Sequence, residues 1–242
     1  MFLKKIYQKN ELYFALLWIG VYCVGESVAN SLSQAVGTDS SVTFALNLLL
    51  SVILIIWIGK MGLAKHFGLC APTVPPARLL WYLPLGLIIS HNLWYGVGIH
   101  LPVMDTVCYI GSMLCVGFLE EIIFRGFLFK ALAKENEKMA IIVSSVTFGL
   151  GHLLNLVNGS GMELVSNLCQ VAGAIAVGFL FVILLVRGGS LWPCIITHSL
   201  NNAISAFVPL EVSVQKQILF ALINTLIALG YALIVLTQKK TK

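Results

Sequence analysis

Long apolar stretches, interrupted by short polar ones, set the pattern of this chain. A helix that crosses a bilayer needs about 20 predominantly apolar residues. The pattern divides into eight such segments: 12–34, 41–59, 79–98, 106–129, 139–157, 164–186, 190–208 and 217–237. The segment at 190–208 is the least regular, because it holds Pro193, His198, Asn201 and Asn202. Nothing outside these segments is long enough to form a soluble domain. The pattern therefore predicts an all-α, polytopic transmembrane helical bundle of about eight spans, a single integral membrane domain over residues 1–242.

Composition agrees with the pattern. Of the 242 residues 59% are hydrophobic and 10% charged, with a mean hydropathy of +0.94, whereas a soluble domain carries about 25% charged residues. The basic residues then orient the bundle, since short cytoplasmic loops are enriched in Lys and Arg. Thirteen of them precede the first span, follow the last, or lie in alternate loops; the opposite loops hold only Lys216, and Arg125 sits inside a span. Both termini are thus expected in the cytoplasm, and the net charge of +5 is a topology signal with a further role at anionic headgroups. No basic patch suggests nucleic acid. The N-terminus starts as a signal peptide would, with Lys4 and Lys5 before an apolar run, but no A-x-A-like site follows, so a retained first helix is expected. The six cysteines form no C-x-x-C pair and five fall inside spans, which argues against a disulfide framework or a thiolate zinc site. Trp57, Trp81, Trp94 and Trp192 lie near span ends, where aromatic belts anchor helices. The stretch 68–78, with three prolines, reads as a flexible loop.

The polar residues inside the spans carry the chemistry. An ionisable side chain there costs about 3 kcal/mol or more unless it is paired or faces a cavity, so it marks function by default. Spans four, five and seven concentrate such residues. In span four, "GFLEEIIFRGFLF" (117–129) sets Glu121 and Arg125 four apart on one helical face, where they can pair. Glu120, turned about 100° away, is left free for proton chemistry. In span five, Phe148 and His152 share a face with Asn155 near it. In span seven, Cys194, His198 and Asn202 stack one turn apart, with Cys194 in a packing role. Should these faces converge on Glu120, the site holds a carboxylate, two imidazoles and a carboxamide, the parts for activating water and stabilising an oxyanion. Glu26, His91 and Asn92 in the earlier spans either line a substrate path or bond between helices, the latter being favoured; Asn201 bonds backbone or a neighbouring helix. The Gly and Ala of "VAGAIAVGFL" (171–180) serve close helix packing.

Glu-Glu-x-x-x-Arg at 120–125, Phe-x-x-x-His at 148–152 and His-x-x-x-Asn at 198–202, in this order on successive apolar segments, resemble the CAAX protease and bacteriocin-processing (CPBP, or Abi) family of intramembrane proteases. The flanking "FRG" and "SLWP" resemble it too. The resemblance covers about residues 108–206, which would be the catalytic core. It implies Glu120 as the glutamate that activates water, assisted by His152, with His198 and Asn202 stabilising the tetrahedral oxyanion and Glu121, Arg125, Phe148 and Asn155 supporting. A metal stays open at this point. Glu120, His152 and His198 would make a three-ligand Zn2+ site, yet the His-Glu-x-x-His spacing that sets two ligands and a base on one turn is missing. The metal-free reading is the one favoured, and no cofactor is assigned.

The expected activity is an endopeptidase acting on membrane-associated peptides or proteins. Two other readings stand beside it: a bacteriocin immunity or binding protein without catalysis, and an ion- or proton-coupled transporter, against which no inverted repeat is evident. Substrate and oligomeric state are not legible; the expected location is the bacterial plasma membrane. At about 1.5 Å per residue, Glu120 lies roughly 15 Å from Lys130, His198 roughly 16 Å from Arg187 and His152 roughly 20 Å from Lys138. Span five must therefore start later, tilt or bend for the three to meet. Access is expected from the cytoplasmic side.

Overall fold

The computed structural model describes residues 2–158 and 161–238. A short helix, α1 (Phe2–Lys9), leads into α2 (Glu11–Val36) through Asn10, whose side-chain oxygen accepts the Tyr13 amide at 2.8 Å. That bond satisfies an amide the helix itself leaves unpaired. α3 (Ser41–Met61) runs back after a tight turn, and both α2 and α3 end on a left-handed glycine, Gly37 and Gly62, a conformation a Cβ would resist. A 3₁₀ turn at Pro76–Tyr82, the six-residue α4 (Leu85–Ser90) and a second 3₁₀ turn at His91–Tyr95 follow. α5 (Val103–Glu121) then continues through a π-helical stretch, Ile122–Phe129, into α6 (Lys130–Leu132).

α7 (Glu137–Gly151), capped by the Asn136 side chain, passes at His152 into a 3₁₀ turn, His152–Leu156. α8 (Leu164–Gly188), the short α9 (Trp192–Ile204) with a proline in its first turn, and α10 (Val214–Thr237) complete the chain. No strand occurs among the described residues.

The all-α membrane bundle is therefore present, but two predicted segments differ. Six helical stretches are long and apolar enough to cross a membrane: Glu11–Val36, Ser41–Met61, Val103–Leu132, Glu137–Leu156, Leu164–Gly188 and Val214–Thr237. The segment 79–98 is instead broken into short turns around Pro84 and Gly96, and 190–208 holds only the 13-residue α9 with a closing 3₁₀ turn. Hydropathy counts apolar residues and is blind to where the backbone stops being helical.

α8 lies between α7 and α10, while α5 lies between α3 and α9. Small residues make these approaches close. A Cβ on Gly117 of α5 would overlap Ser199 of α9, side chain and backbone alike, and one on Gly178 of α8 would press on Ser145 of α7 at 3.2 Å. The Gly178 contact is the close packing expected of 171–180. Hydrogen bonds reinforce these seams: Ser199 donates to the Leu114 carbonyl at 2.9 Å, and Asn47 of α3 donates to the Ser112 hydroxyl at 3.0 Å.

Two expectations about the membrane surface fail on packing. Trp57 is no belt residue: it is buried, stacked on Phe14 (4.9 Å between centroids) and edge-on to Tyr7 (5.3 Å), within a cluster that includes Phe67 and Phe127. The proline-rich stretch is tied down rather than free. The Thr73 amide donates to the Gly188 carbonyl (2.9 Å), the Leu191 amide to the Gly68 carbonyl (2.7 Å) and the Ser190 hydroxyl to the Cys70 carbonyl (2.6 Å).

Close approach at Gly117 is the structural requirement that sets α9 against α5. Gly117→Ala should lower thermal stability in detergent by about 1–3 kcal/mol, the usual cost of overpacking. Gly20→Ala, where nothing lies within 4 Å of the added carbon, should leave the melting midpoint unchanged or raise it.

Candidate active site

Glu121 and Arg125 are completely buried. Arg125 Nη1 donates to Glu121 Oε1 at 3.1 Å, one helical turn apart as expected. The same oxygen lies 2.9 Å from His198 Nδ1, so a single carboxylate joins the π-helical end of α5 to α9. Burying ions costs several kcal/mol each unless partners offset it. Here the guanidinium also sits 4.0 Å from the centre of the Phe148 ring, with the Phe181 ring 5.8 Å away, and such ring faces attract a cation. The π-helix itself is anchored from outside, by the Ser144 hydroxyl donating to the Phe124 carbonyl at 2.8 Å. π-Helical turns are rare and occur often at functional sites.

Glu120 points elsewhere, as its position one residue earlier requires. Its Oε1 accepts the Tyr22 hydroxyl of α2 at 2.8 Å. Its Oε2, 3.6 Å from His198 Nε2, makes no hydrogen bond. His198 therefore stands between the two glutamates, Nδ1 toward Glu121 and Nε2 toward Glu120. Phe148 and Phe181 flank its ring at 5.7 and 6.3 Å.

His152 reaches the same place because α7 stops there. Its Nδ1 lies 3.1 Å from the Phe148 carbonyl and its ring 5.2 Å from the Phe148 ring, while Asn167 of α8 donates to its backbone carbonyl at 2.7 Å. The bend demanded by the depth of span five is this change from α-helix to 3₁₀ turn. Glu120, His152, His198 and Asn202 all line one cavity of about 630 Å³, with Phe148 and Asn155 also on its wall. Asn155 donates to Gln170 Oε1 at 2.9 Å and accepts from Asn158 at 3.0 Å, which stiffens the wall. Glu121 and Arg125 stay behind the wall.

Cys194 is packed in the core, its thiol 3.5 Å from the Phe181 carbonyl. Asn201 bonds the Ile88 carbonyl of α4 at 2.8 Å, the helix-to-helix contact expected of it.

Several wall residues escaped the sequence reading. Tyr22 is the clearest: it lies on the first spanning helix, yet it holds Glu120. The available signal was Glu26 one turn further along α2, which makes Tyr22 and Glu26 a polar stripe in an apolar helix. Glu26, His91 and Asn92 all line the cavity, although bonding between helices had been favoured for them; Asn92 does both, donating to the Asn201 carbonyl at 2.7 Å.

Among the described residues no three His, Cys, Asp or Glu side chains gather as ligands of one ion. His198 Nδ1 is engaged by Glu121 and His152 Nδ1 by a backbone carbonyl.

Comparison with known proteins agrees with the motifs. Residues 102–204 match the model of the family described as type II CAAX prenyl endopeptidase Rce1-like, which bears out the resemblance read from the three motifs. No curated protein and no solved structure matches the chain. The matched stretch contains all the motif residues, whereas Tyr22 and Glu26 lie outside it.

The Glu121–Arg125–His198 cluster yields a stability prediction. Arg125→Met leaves a buried carboxylate uncompensated and should cost about 3–5 kcal/mol, read as a lowered melting midpoint in detergent. Adding Glu121→Gln removes the stranded charge and should recover a large part of that loss.

Proposed function

We propose that this chain, which matches the model of the Rce1-like CAAX endopeptidase family over residues 102–204, hydrolyses peptide bonds of membrane-associated peptides or proteins by a metal-free glutamate–histidine mechanism. The family match supports an intramembrane endopeptidase of the CAAX type, working on peptide substrates in a lipid bilayer. One observation carries the finer reading: Glu120 lines the cavity, with one oxygen held by Tyr22 and the other without a hydrogen-bond partner, while Glu121 and Arg125 lie behind the wall. A general base must present a free oxygen to the proton it takes.

In this reading a water lies between Glu120 and His152. Glu120 removes its proton as the water oxygen bonds to the scissile carbonyl carbon, whose oxygen becomes the oxyanion. His198 and Asn202 donate hydrogen bonds to that oxyanion, the interaction that strengthens most as charge develops. Glu120 then passes its proton to the departing amine as the carbon–nitrogen bond breaks.

Geometry supports His198 in that role: Glu121 holds its Nδ1 at 2.9 Å, which turns Nε2 toward Glu120 and the cavity. Glu121 and Arg125 act by holding His198, not by touching substrate. Tyr22 positions the base.

Cleavage of a mixed library of membrane peptides in detergent, read by mass spectrometry, tests this mechanism. Wild type should cut and Glu120→Gln should not. Asn202→Ala should lower kcat by about 10²–10³, as loss of one oxyanion donor does. Tyr22→Phe, which removes one hydrogen bond to a charged group worth about 1.5–3 kcal/mol, should lower kcat by roughly ten- to a hundredfold with KM little changed. A chelator should leave the rate unaltered; loss of activity on chelation, restored by Zn2+, would overturn the metal-free mechanism. Peptides bound but uncut by wild type would put a non-catalytic binding role in its place.

A further inference from the structure

The cavity is one-sided. On α2 it is lined from Tyr22 to Ser27, on α8 from Ser166 to Phe181 and on α10 from Gln217 to Asn224. On α2 this is the middle of the helix, on α8 it runs from the Leu164 end past the middle, and on α10 it is the half nearer Val214; the Leu164 and Val214 ends lie with the connections that follow Val36, Tyr95, Leu156 and Phe207. At that end surface residues join the wall: Asn158, Pro209, Leu210 and Val212, with Leu210 79% exposed. At the other end, among the described residues, the connections after Met61, Leu132 and Gly188 contribute nothing to the lining of this cavity; Pro72, Tyr82, Trp192 and Pro193 line a separate, smaller hollow of about 410 Å³ that meets it at Thr197. Phe124, Phe148 and Phe181 form the base of the cavity, and buried Arg125, Phe127 and Leu184 lie behind it.

Charge distinguishes the two ends independently of the cavity. Of the described residues, ten Lys and Arg lie at or beyond the closed end against Glu11, Glu135 and Glu137; the open end has Lys216 against Asp39, Asp105, Glu163 and Glu211. Basic loops stay in the cytoplasm, so the two observations taken together set the mouth on the opposite side. We infer that the cavity receives its substrate from the extracytoplasmic face, so that its substrates are peptide segments exposed on that side of the membrane. This replaces the expectation of access from the cytoplasmic side, which came from depth along the helices and could not include the aromatic base. It rests on the proposed function for what happens inside the cavity, but not for where the cavity opens. Polar groups at this depth persist because they face water or one another, and here the water must come through the mouth at Leu210.

Two native thiols and two introduced ones make the inference testable. Cys23 and Cys169 line the cavity. A membrane-impermeant maleimide would be applied to intact cells and, separately, to inside-out vesicles, with adducts mapped by mass spectrometry. Leu210→Cys marks the open end and Lys65→Cys, an exposed position in the connection after α3, the closed end. Cys169 and Leu210→Cys should label in intact cells roughly tenfold faster than in inside-out vesicles, since a thiol reacts only where reagent reaches it; Lys65→Cys should do the reverse. Labelling of Cys169 only from the side that labels Lys65→Cys would overturn the inference. So would labelling of Leu210→Cys only in inside-out vesicles, or a Cys169 that reacts in detergent but from neither face of the membrane. Labelling needs no turnover, so external access in a chain that cuts nothing would sink the peptidase reading and leave this one standing.

Discussion

The buried carboxylate of Glu121 is the constraint around which the rest is arranged. It takes Arg125 on its own helix and His198 on α9 through one oxygen, far from water. Neither glutamate nor arginine could stay charged there alone. The fold therefore has to deliver α9 to within hydrogen-bonding distance of α5, and a glycine at 117 lets the two backbones come that close. It also has to lay Phe148 and Phe181, from α7 and α8, over the guanidinium. Four elements are thereby committed to one point, and each of them brings a functional side chain or a wall of the cavity with it.

Adjacent glutamates can divide two tasks because one residue turns a helix about 100°. Glu121 faces inward, its Oε1 shared by Arg125 and His198; Glu120 lines the cavity, its Oε1 held by Tyr22. The π-helix beginning at Ile122 starts directly after this pair. Tyr22 completes the arrangement from α2, so a helix outside the family-matched segment holds Glu120. A site of this kind cannot be assigned to the matched segment alone.

The cavity's shape follows from where the aromatic side chains fall. Phe124, Phe148 and Phe181 close it on one side, and behind them the packed core continues to the Phe14, Trp57, Phe67 and Phe127 cluster. On the other side the lining turns polar and reaches the surface loops. The early ends of α7 and α9 matter here. Full-length helices would carry their backbones across the space that the 3₁₀ turns at His152–Leu156 and Ser205–Phe207 leave open.

Much of this was legible before any coordinates. Apolar stretches of bilayer length announced an all-helical membrane protein, because burying an unpaired backbone in lipid leaves helices or closed barrels as the choices. Helical spacing alone paired Glu121 with Arg125 and separated Glu120 from both, and three motifs in order named the four cavity residues. The segments at 79–98 and 190–208 were read as unbroken helices because hydropathy does not register Pro84, Gly96 or a helix that stops after 13 residues. Trp57 was misplaced because its sequence position near a span end says nothing about which helices lie beside it. What tertiary structure alone decided is the set of contacts between distant residues. Tyr22 reaches Glu120 across 98 positions and His198 reaches Glu121 across 77, and the opening of the cavity at one end follows from which side chains meet there. Local pattern fixes what a helix is and which face is polar; only packing fixes which polar faces meet.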